Sequence, residues 1–149
     1  MNSITNPIEI WVKLDKDAIG YPSSQEWEQM YAWPIGNGFR IDNVPFFAKN
    51  VAVGDIVSAI KTDKGWYMLD RVLTRSGHST FRIWLSEKAV PSREAIMQHI
   101  RELGGQTELT LERLIGIDAP PENESAVWAY LRVGRENGEW DLQVGFSPD

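Results

Sequence analysis

Through residue 85 the chain sustains no helical hydrophobic period. Short runs of alternating apolar and polar residues are interrupted every eight to twelve positions by turn formers, the pattern of a small barrel or a strongly bent antiparallel sheet. The run IEIWVKL places Ile8, Ile10, Val12 and Leu14 on one face and Glu9, Trp11 and Lys13 on the other. A loop marked by Gly20, Pro22, Ser23 and Ser24 follows. EWEQMYAWP then sets Trp27, Tyr31 and Trp33 in step, and Gly36-Asn37-Gly38 suits the positive backbone dihedrals of a tight hairpin. The strand begun at Phe39-Arg40-Ile41 ends by Pro45, which has no amide to donate. Gly54-Asp55 turns into a strand over 56–61, and Asp63-Lys64-Gly65 turns again. WYMLDRVLTR then alternates until Ser76-Gly77-His78-Ser79 reverses it into TFRIWL.

After Leu85 the period changes. Pro91-Ser92 marks a helix start, with the serine able to cap free amides. Ile96, Ile100 and Leu103 recur at helical spacing until Gly104-Gly105 stops them. Leu109 and Leu111, then Ile115 and Ile117, read as one bent strand or as a tight hairpin near Glu112-Arg113. Pro120-Pro121 opens a second helix carrying Val127, Trp128 and Leu131 and ending at Asn137-Gly138. EWDLQVGF closes the chain with Trp140, Leu142, Val144 and Phe146 on one face. From TFRIWL onward the order is that of the ferredoxin-like split βαβ pattern, two helices on one face of an antiparallel sheet. The expected class is α+β. A β-rich half, barrel-like or a bent antiparallel sheet, covers about 1–78, and a ferredoxin-like βαββαβ half covers about 79–149. The strand from Ser79 to Leu85 belongs to both, so the two form a single compact domain.

Composition narrows the chemistry. With 149 residues and 42% hydrophobic side chains the chain has enough apolar mass for a real core. The absence of cysteine excludes disulfides, thiolate zinc sites and thiol nucleophiles. His78 and His99 are the only histidines, so neither a metal nor any other cofactor is expected. No apolar run approaches the roughly 20 residues of a membrane span. The first residues also lack the layout of a secretory signal, so a soluble cytoplasmic protein is expected, with no membrane partner.

Charge is unevenly spread. Residues 1–85 carry nine basic and nine acidic side chains, whereas residues 86–149 carry six and twelve. That balance disfavours nucleic acid, whose binding depends on cations displacing counterions. It suits a basic protein partner, or it simply maintains solubility. Seven tryptophans serve either as interface anchors or as core. Trp11 and Trp84 fall on the polar sides of their strands, where a packed helix could cover them or a partner could meet them.

Two segments are candidates for binding. In IDNVPFFAKNVAVGD, residues 41–55, adjacent Phe46 and Phe47 cannot both point inward from a regular strand. Asn43 and Asp55 accompany them in turns. The segment is either a loop plugging the open end of the barrel or a ligand or partner surface built on the aromatic pair. In RSGHSTFR, residues 75–82, Arg75, Ser76, His78, Ser79, Thr80 and Arg82 gather cations, hydroxyls and an imidazole around Gly77, as an anion site would. Arg75 and Arg82 equally suit pairing with Asp55 or Asp70. His78 is alternatively a solvated turn residue or, with Asp55 or Asp70, the acid or base of a hydrolase. No G-x-S-x-G elbow, Walker or Rossmann glycine fingerprint, or calcium loop is present.

The strings DNVPFFAKNVAVGDIV and RVLTRSGHSTFRI, with LGG, IGIDAPPE, AVWAYL and GEW beyond them, resemble a bacterial family of short acidic proteins defined as a domain of unknown function. The shared signature is N-x-P-F-F-A, then G-D, then S-G-H-S-T-x-R, and it spans nearly the whole chain. By analogy with such families, the resemblance implies an immunity protein that neutralises a toxin domain encoded beside it. Joined to the acidic half, the tryptophan surplus and the lack of a complete catalytic constellation, this makes a non-catalytic antagonist of a basic toxin domain the leading expectation. A small-molecule or anion-binding regulatory domain comes second and a hydrolase using His78 third. The oligomeric state is not legible.

Overall fold

The computed structural model describes residues 6–14 and 26–148, so the loop around Gly20 and Pro22 and the first five residues lie outside the described residues. Five strands close into a barrel: β1 (Ile8–Lys13), β2 (Trp27–Ile35), β3 (Gly38–Ile41), β4 (Ile56–Lys61) and β5 (Tyr67–Thr74). Successive strands pair antiparallel, and a parallel contact of β1 with β5, Ile10 against Tyr67 and Trp11 against Met68, completes the ring. The hairpins turn at Gly36 and Gly65, whose φ values of 55° and 89° favour glycine. Alternation sends Ile10, Val12, Met30, Ala32, Ile41 and Val57 into the barrel. Loop 42–55 completes that core by inserting Phe47, Ala48 and Val51, which is the plugging arrangement.

The second layer contains β6 (Ser79–Leu85), α1 (Arg93–Glu102), β7 (Gln106–Thr110), β8 (Leu114–Ala119), α2 (Glu124–Glu136) and β9 (Trp140–Phe146). Its sheet runs β7-β8-β6-β9, with every neighbouring pair antiparallel. The β7–β8 segment is a hairpin, turned through Leu111 and Glu112 at φ 53° and 63°. Both helices cover one face. Ile96, Met97, Ile100, Val127 and Leu131 pack on Phe81, Ile83, Leu85, Ile115, Ile117 and Trp140. Each such side chain contributes about 1.5–3 kcal/mol by leaving water. The opposite face meets the barrel: Leu114 joins the barrel core, Trp84 packs against it, and Gly116 abuts Val44 and Phe46. Strand β6 therefore serves two cores, one through each face. No described helix is long and apolar enough to cross a membrane.

Two local expectations are corrected. Ser92 makes no side-chain cap; a 3₁₀ turn over Val90–Ser92 leads into α1, and the Val90 carbonyl takes the Arg93 amide. Phe146 leaves the apolar stripe of β9. Thr80 pairs with Phe146 but Phe81 pairs with Val144, so Gly145 is an extra residue that turns Phe146 to the barrel side.

Candidate functional site

The loop that plugs the barrel is held by charges on both sides of its peptide groups. Glu28 stands at an inward position of β2, in step with Met30 and Ala32, and is buried. Its carboxylate accepts the amides of Phe46 at 2.6 Å, Phe47 at 3.0 Å and Ala48 at 2.7 Å. Glu108 accepts the amide of Val44 at 2.6 Å. Burial pushes the Glu108 carboxyl above its ordinary value; the Val44 amide opposes this, and the nearby charges of Glu28 and Asp42 add to it. From β6, the buried Arg82 donates Nε to the Phe46 carbonyl at 2.7 Å and Nη2 to the Ala48 carbonyl. Thr80 Oγ1 donates to the Val51 carbonyl at 3.2 Å. Asn43 Oδ1 accepts the Tyr31 amide at 2.7 Å, fixing the start of the loop.

Asp55 anchors the other end. Fully buried, it accepts the amides of Ala52 and Ser76 at 3.0 and 2.8 Å and Nη1 of Arg75 at 3.0 Å. Arg75 also donates to the Asn50 carbonyl and lies 3.9 Å from the ring centre of Phe146. Ser76 Oγ donates to the Val53 carbonyl at 2.7 Å and accepts the His78 amide at 3.2 Å. Arg75 thus takes the Asp55 pairing, whereas Arg82 bonds loop carbonyls and Asp70 accepts Ser58 Oγ at 3.2 Å.

The carboxylate beside His78 is neither Asp55 nor Asp70 but Asp118, whose Oδ1 lies 2.8 Å from His78 Nδ1. Burial raises the Asp118 carboxyl above its ordinary value, and the His78 hydrogen bond and charge oppose that. Asp118 pairs with Thr80 on the barrel-facing side of the sheet, while Ser79 faces the other way. Ser79 Oγ is buried without a protein partner among the described residues. It lines an open pocket of about 360 Å³ with Gly77, Pro121 and Glu124, next to the start of α2.

Of the sequence candidates, Asn43, Phe46, Phe47, Asp55, Arg75, Ser76, Thr80 and Arg82 converge on loop 42–55 and are engaged in holding it. Phe47 fills the barrel, while Phe46 lies between barrel and second sheet, its ring centre 6.5 Å from that of Phe47. His78 and Ser79 border this cluster. Trp84 lies under the guanidinium of Arg113, 4.9 Å from its ring centre, against the barrel core.

Trp11 belongs to a different surface. On the outer wall of the barrel it meets Trp66 edge-to-face at 6.2 Å, and Trp66 meets Trp27 at 5.3 Å with the planes 88° apart. With Glu9 these indoles line an open, mainly apolar recess of about 440 Å³. Lys13, paired with Trp27 across the strands, places Nζ 4.9 Å from the Trp27 ring centre. Six of the seven tryptophans retain partial exposure, and only Trp140 is buried. The sequence reading did not place Glu28 under the loop, Asp118 beside His78, or Trp27 and Trp66 beside Trp11. The one available signal was an acid at an inward position of β2, in step with Met30 and Ala32.

Residues 28–142 match the family described as "Domain of unknown function (DUF4265)". The chain belongs to this family. Among proteins of curated function, none matches this DUF4265 chain. A crystal structure of a hypothetical protein from Neisseria gonorrhoeae is similar over 98% of this chain and 100% of that one, with a TM-score of 0.72 and 22% identity. At that identity the likeness shows a common fold. The DUF4265 match takes in the clamped loop, Trp66 and the His78–Asp118 pair, whereas Glu9, Trp11 and Trp27 precede it.

Proposed function

We propose that this chain is a non-catalytic protein-binding protein, an immunity-type antagonist that engages a basic toxin domain in the cytoplasm. The observation that carries the reading is the outer wall of the barrel, where Trp11, Trp27 and Trp66 form a partly exposed indole cluster beside Glu9. Rigid aromatic anchors of this kind supply most of the affinity at protein interfaces. The acidic second half supports it: Glu87, Glu94, Glu112, Glu136 and Asp141 are all exposed and would speed encounter with a basic surface. The polar groups of segments 41–55 and 75–82 are largely occupied in holding the plug, which favours binding over chemistry there. The strand order β7-β8-β6-β9 and its antiparallel pairing support reading the second half as ferredoxin-like.

Co-expression with toxin-like proteins encoded beside the gene tests the reading. Protection of the host and a stable purified complex are the expected results; full toxicity and no complex would remove the proposal. A second reading, a small-molecule-binding regulatory domain, draws support from the pocket at Ser79, whose buried hydroxyl lacks a protein partner among the described residues. A thermal-shift screen of nucleotides and phosphorylated metabolites distinguishes it, since a ligand selective for the folded state raises Tm.

A further inference from the structure

We infer that the recess bordered by Trp11, Trp27 and Trp66 is, on its Trp11–Trp66 side, a cation site that takes the ammonium end of a lysine side chain from a basic protein partner. The inference rests on the binding reading above and names the chemistry by which this wall recognises its partner. An indole face carries negative charge density and its edge positive, so rings meeting near right angles can offer faces to one central cation. Here Trp66 stands at 75° to Trp11 and 88° to Trp27. Glu9, one turn of the strand alternation from Trp11 and exposed on the same outer face, adds a full negative charge at the rim. A neutral apolar side chain would fill the recess but leave that carboxylate without a counterpart.

The wall already displays this chemistry within the chain. Lys13 sits over the Trp27 ring at 4.9 Å, held there by direct cross-strand pairing. With Lys13 occupying Trp27, an incoming cation is left the surfaces of Trp11 and Trp66, on the side of the recess where Glu9 supplies the opposite charge. The neighbouring outward positions, Met68 paired with Trp11 and Ile60 paired with Met68, give an apolar shelf along which the methylene stem of a lysine can lie. The excess of acid over base in the whole chain draws such a group toward the surface.

The test uses the isolated chain and three probes at matched ionic strength: tetramethylammonium, the neutral tert-butyl analogue neopentanol, and Nα-acetyl-lysine amide. Indole fluorescence and the indole N–H resonances report occupancy. Saturable perturbation of the Trp11 and Trp66 resonances by both cations is expected, with neopentanol on the order of tenfold weaker. Trp66→Ala should abolish the response and Glu9→Gln should weaken it. Trp66→Phe, which retains a ring, should preserve cation selectivity with reduced affinity. Equal binding of neopentanol, or no saturable response to either cation, would overturn the inference. The co-expression assay separates this failure from that of the function. Protection retained by Trp66→Ala would refute the lysine site and leave the antagonist reading standing. Selective cation binding by a chain that protects against no neighbouring toxin would refute the antagonist and leave the cation chemistry intact.

Discussion

At the residue scale, Glu28 occupies a place where an apolar side chain would fill the barrel equally well. Its retention there makes sense through the three amides it accepts, from Phe46, Phe47 and Ala48. Hydrogen bonds to a charged group are worth roughly 1.5–3 kcal/mol each, and an orphaned buried donor costs a further penalty. Glu28→Gln keeps the shape but replaces one acceptor oxygen with a donor facing another donor. We expect it to destabilise the fold by about 3 kcal/mol, read as a lower urea midpoint with an unchanged slope. Alternation reveals that Glu28 faces inward, since Met30 and Ala32 flank the same stripe. It does not reveal the partners, which lie 18 to 20 residues away along an irregular loop. Asp118 yields a pH prediction. Its folded-state carboxyl is raised, chiefly by burial, so the folded chain holds this proton more tightly than the unfolded chain. The resulting stability is fully present below the unfolded value and is lost as pH rises through the folded one. Relative to Asp118→Asn, which cannot ionise, the wild type should therefore lose stability on going from about pH 3 upward through the carboxylate range. Denaturation midpoints of the two proteins across that range check this, and parallel curves would contradict it.

At the scale of elements, β6 has no solvent face: Phe81, Ile83 and Leu85 serve the helices, while Thr80, Arg82 and Trp84 serve the plug and barrel. Both apolar and polar stripes were readable in TFRIWL, but a polar stripe ordinarily signals water. What covers it here is the 42–55 loop, whose course depends on Glu28 and Asp55 instead of on any local period. The bulge at Gly145 was hidden for a related reason. Period-two reading assumes no inserted residue, and VGF continues the alternation in letters while the pairing skips. Gly145 is also where a side chain has no room, because an added Cβ would overlap the guanidinium of Arg82. Gly145→Ala should thus displace Arg82 from the carbonyls of Phe46 and Ala48 and cost about 2–4 kcal/mol. Gly138→Ala is the control: its φ of 74° carries strain, yet nothing lies near the new methyl, so a cost of about 1 kcal/mol is expected. Chemical denaturation of the two variants separates a lost clamp from simple backbone strain.

At the scale of the whole molecule, the α+β class, the helices and most strand positions follow from periodicity and turn residues, whereas the indole recess is created by closure of the barrel. Trp27 and Trp11 are brought together by the β1–β2 register, and β1 pairs in parallel with β5 just beyond Trp66. No local pattern announces a parallel contact between the first and fifth strands, so the meeting of Trp66 with Trp11 was not legible. Closure also separates two roles that composition had merged. On the proposed antagonist reading, the exposed acids of the second half would supply a diffuse field and the indoles short-range contact. These roles predict different kinetics with a basic partner. Long-range attraction acts on encounter and is screened over about 8 Å at physiological salt, so raising ionic strength should lower the association rate and change dissociation less. Contact with Trp66 exists only after docking, so Trp66→Ala should raise the dissociation rate, by roughly ten- to a hundredfold if the indole is a hot spot, and leave the salt dependence of association unchanged. Stopped-flow association and chase experiments on wild type and variant, at low and high salt, resolve the two effects. A Trp66 variant whose loss lay wholly in association would mean that the indoles act through the shape or charge of the approach and do not anchor the bound partner.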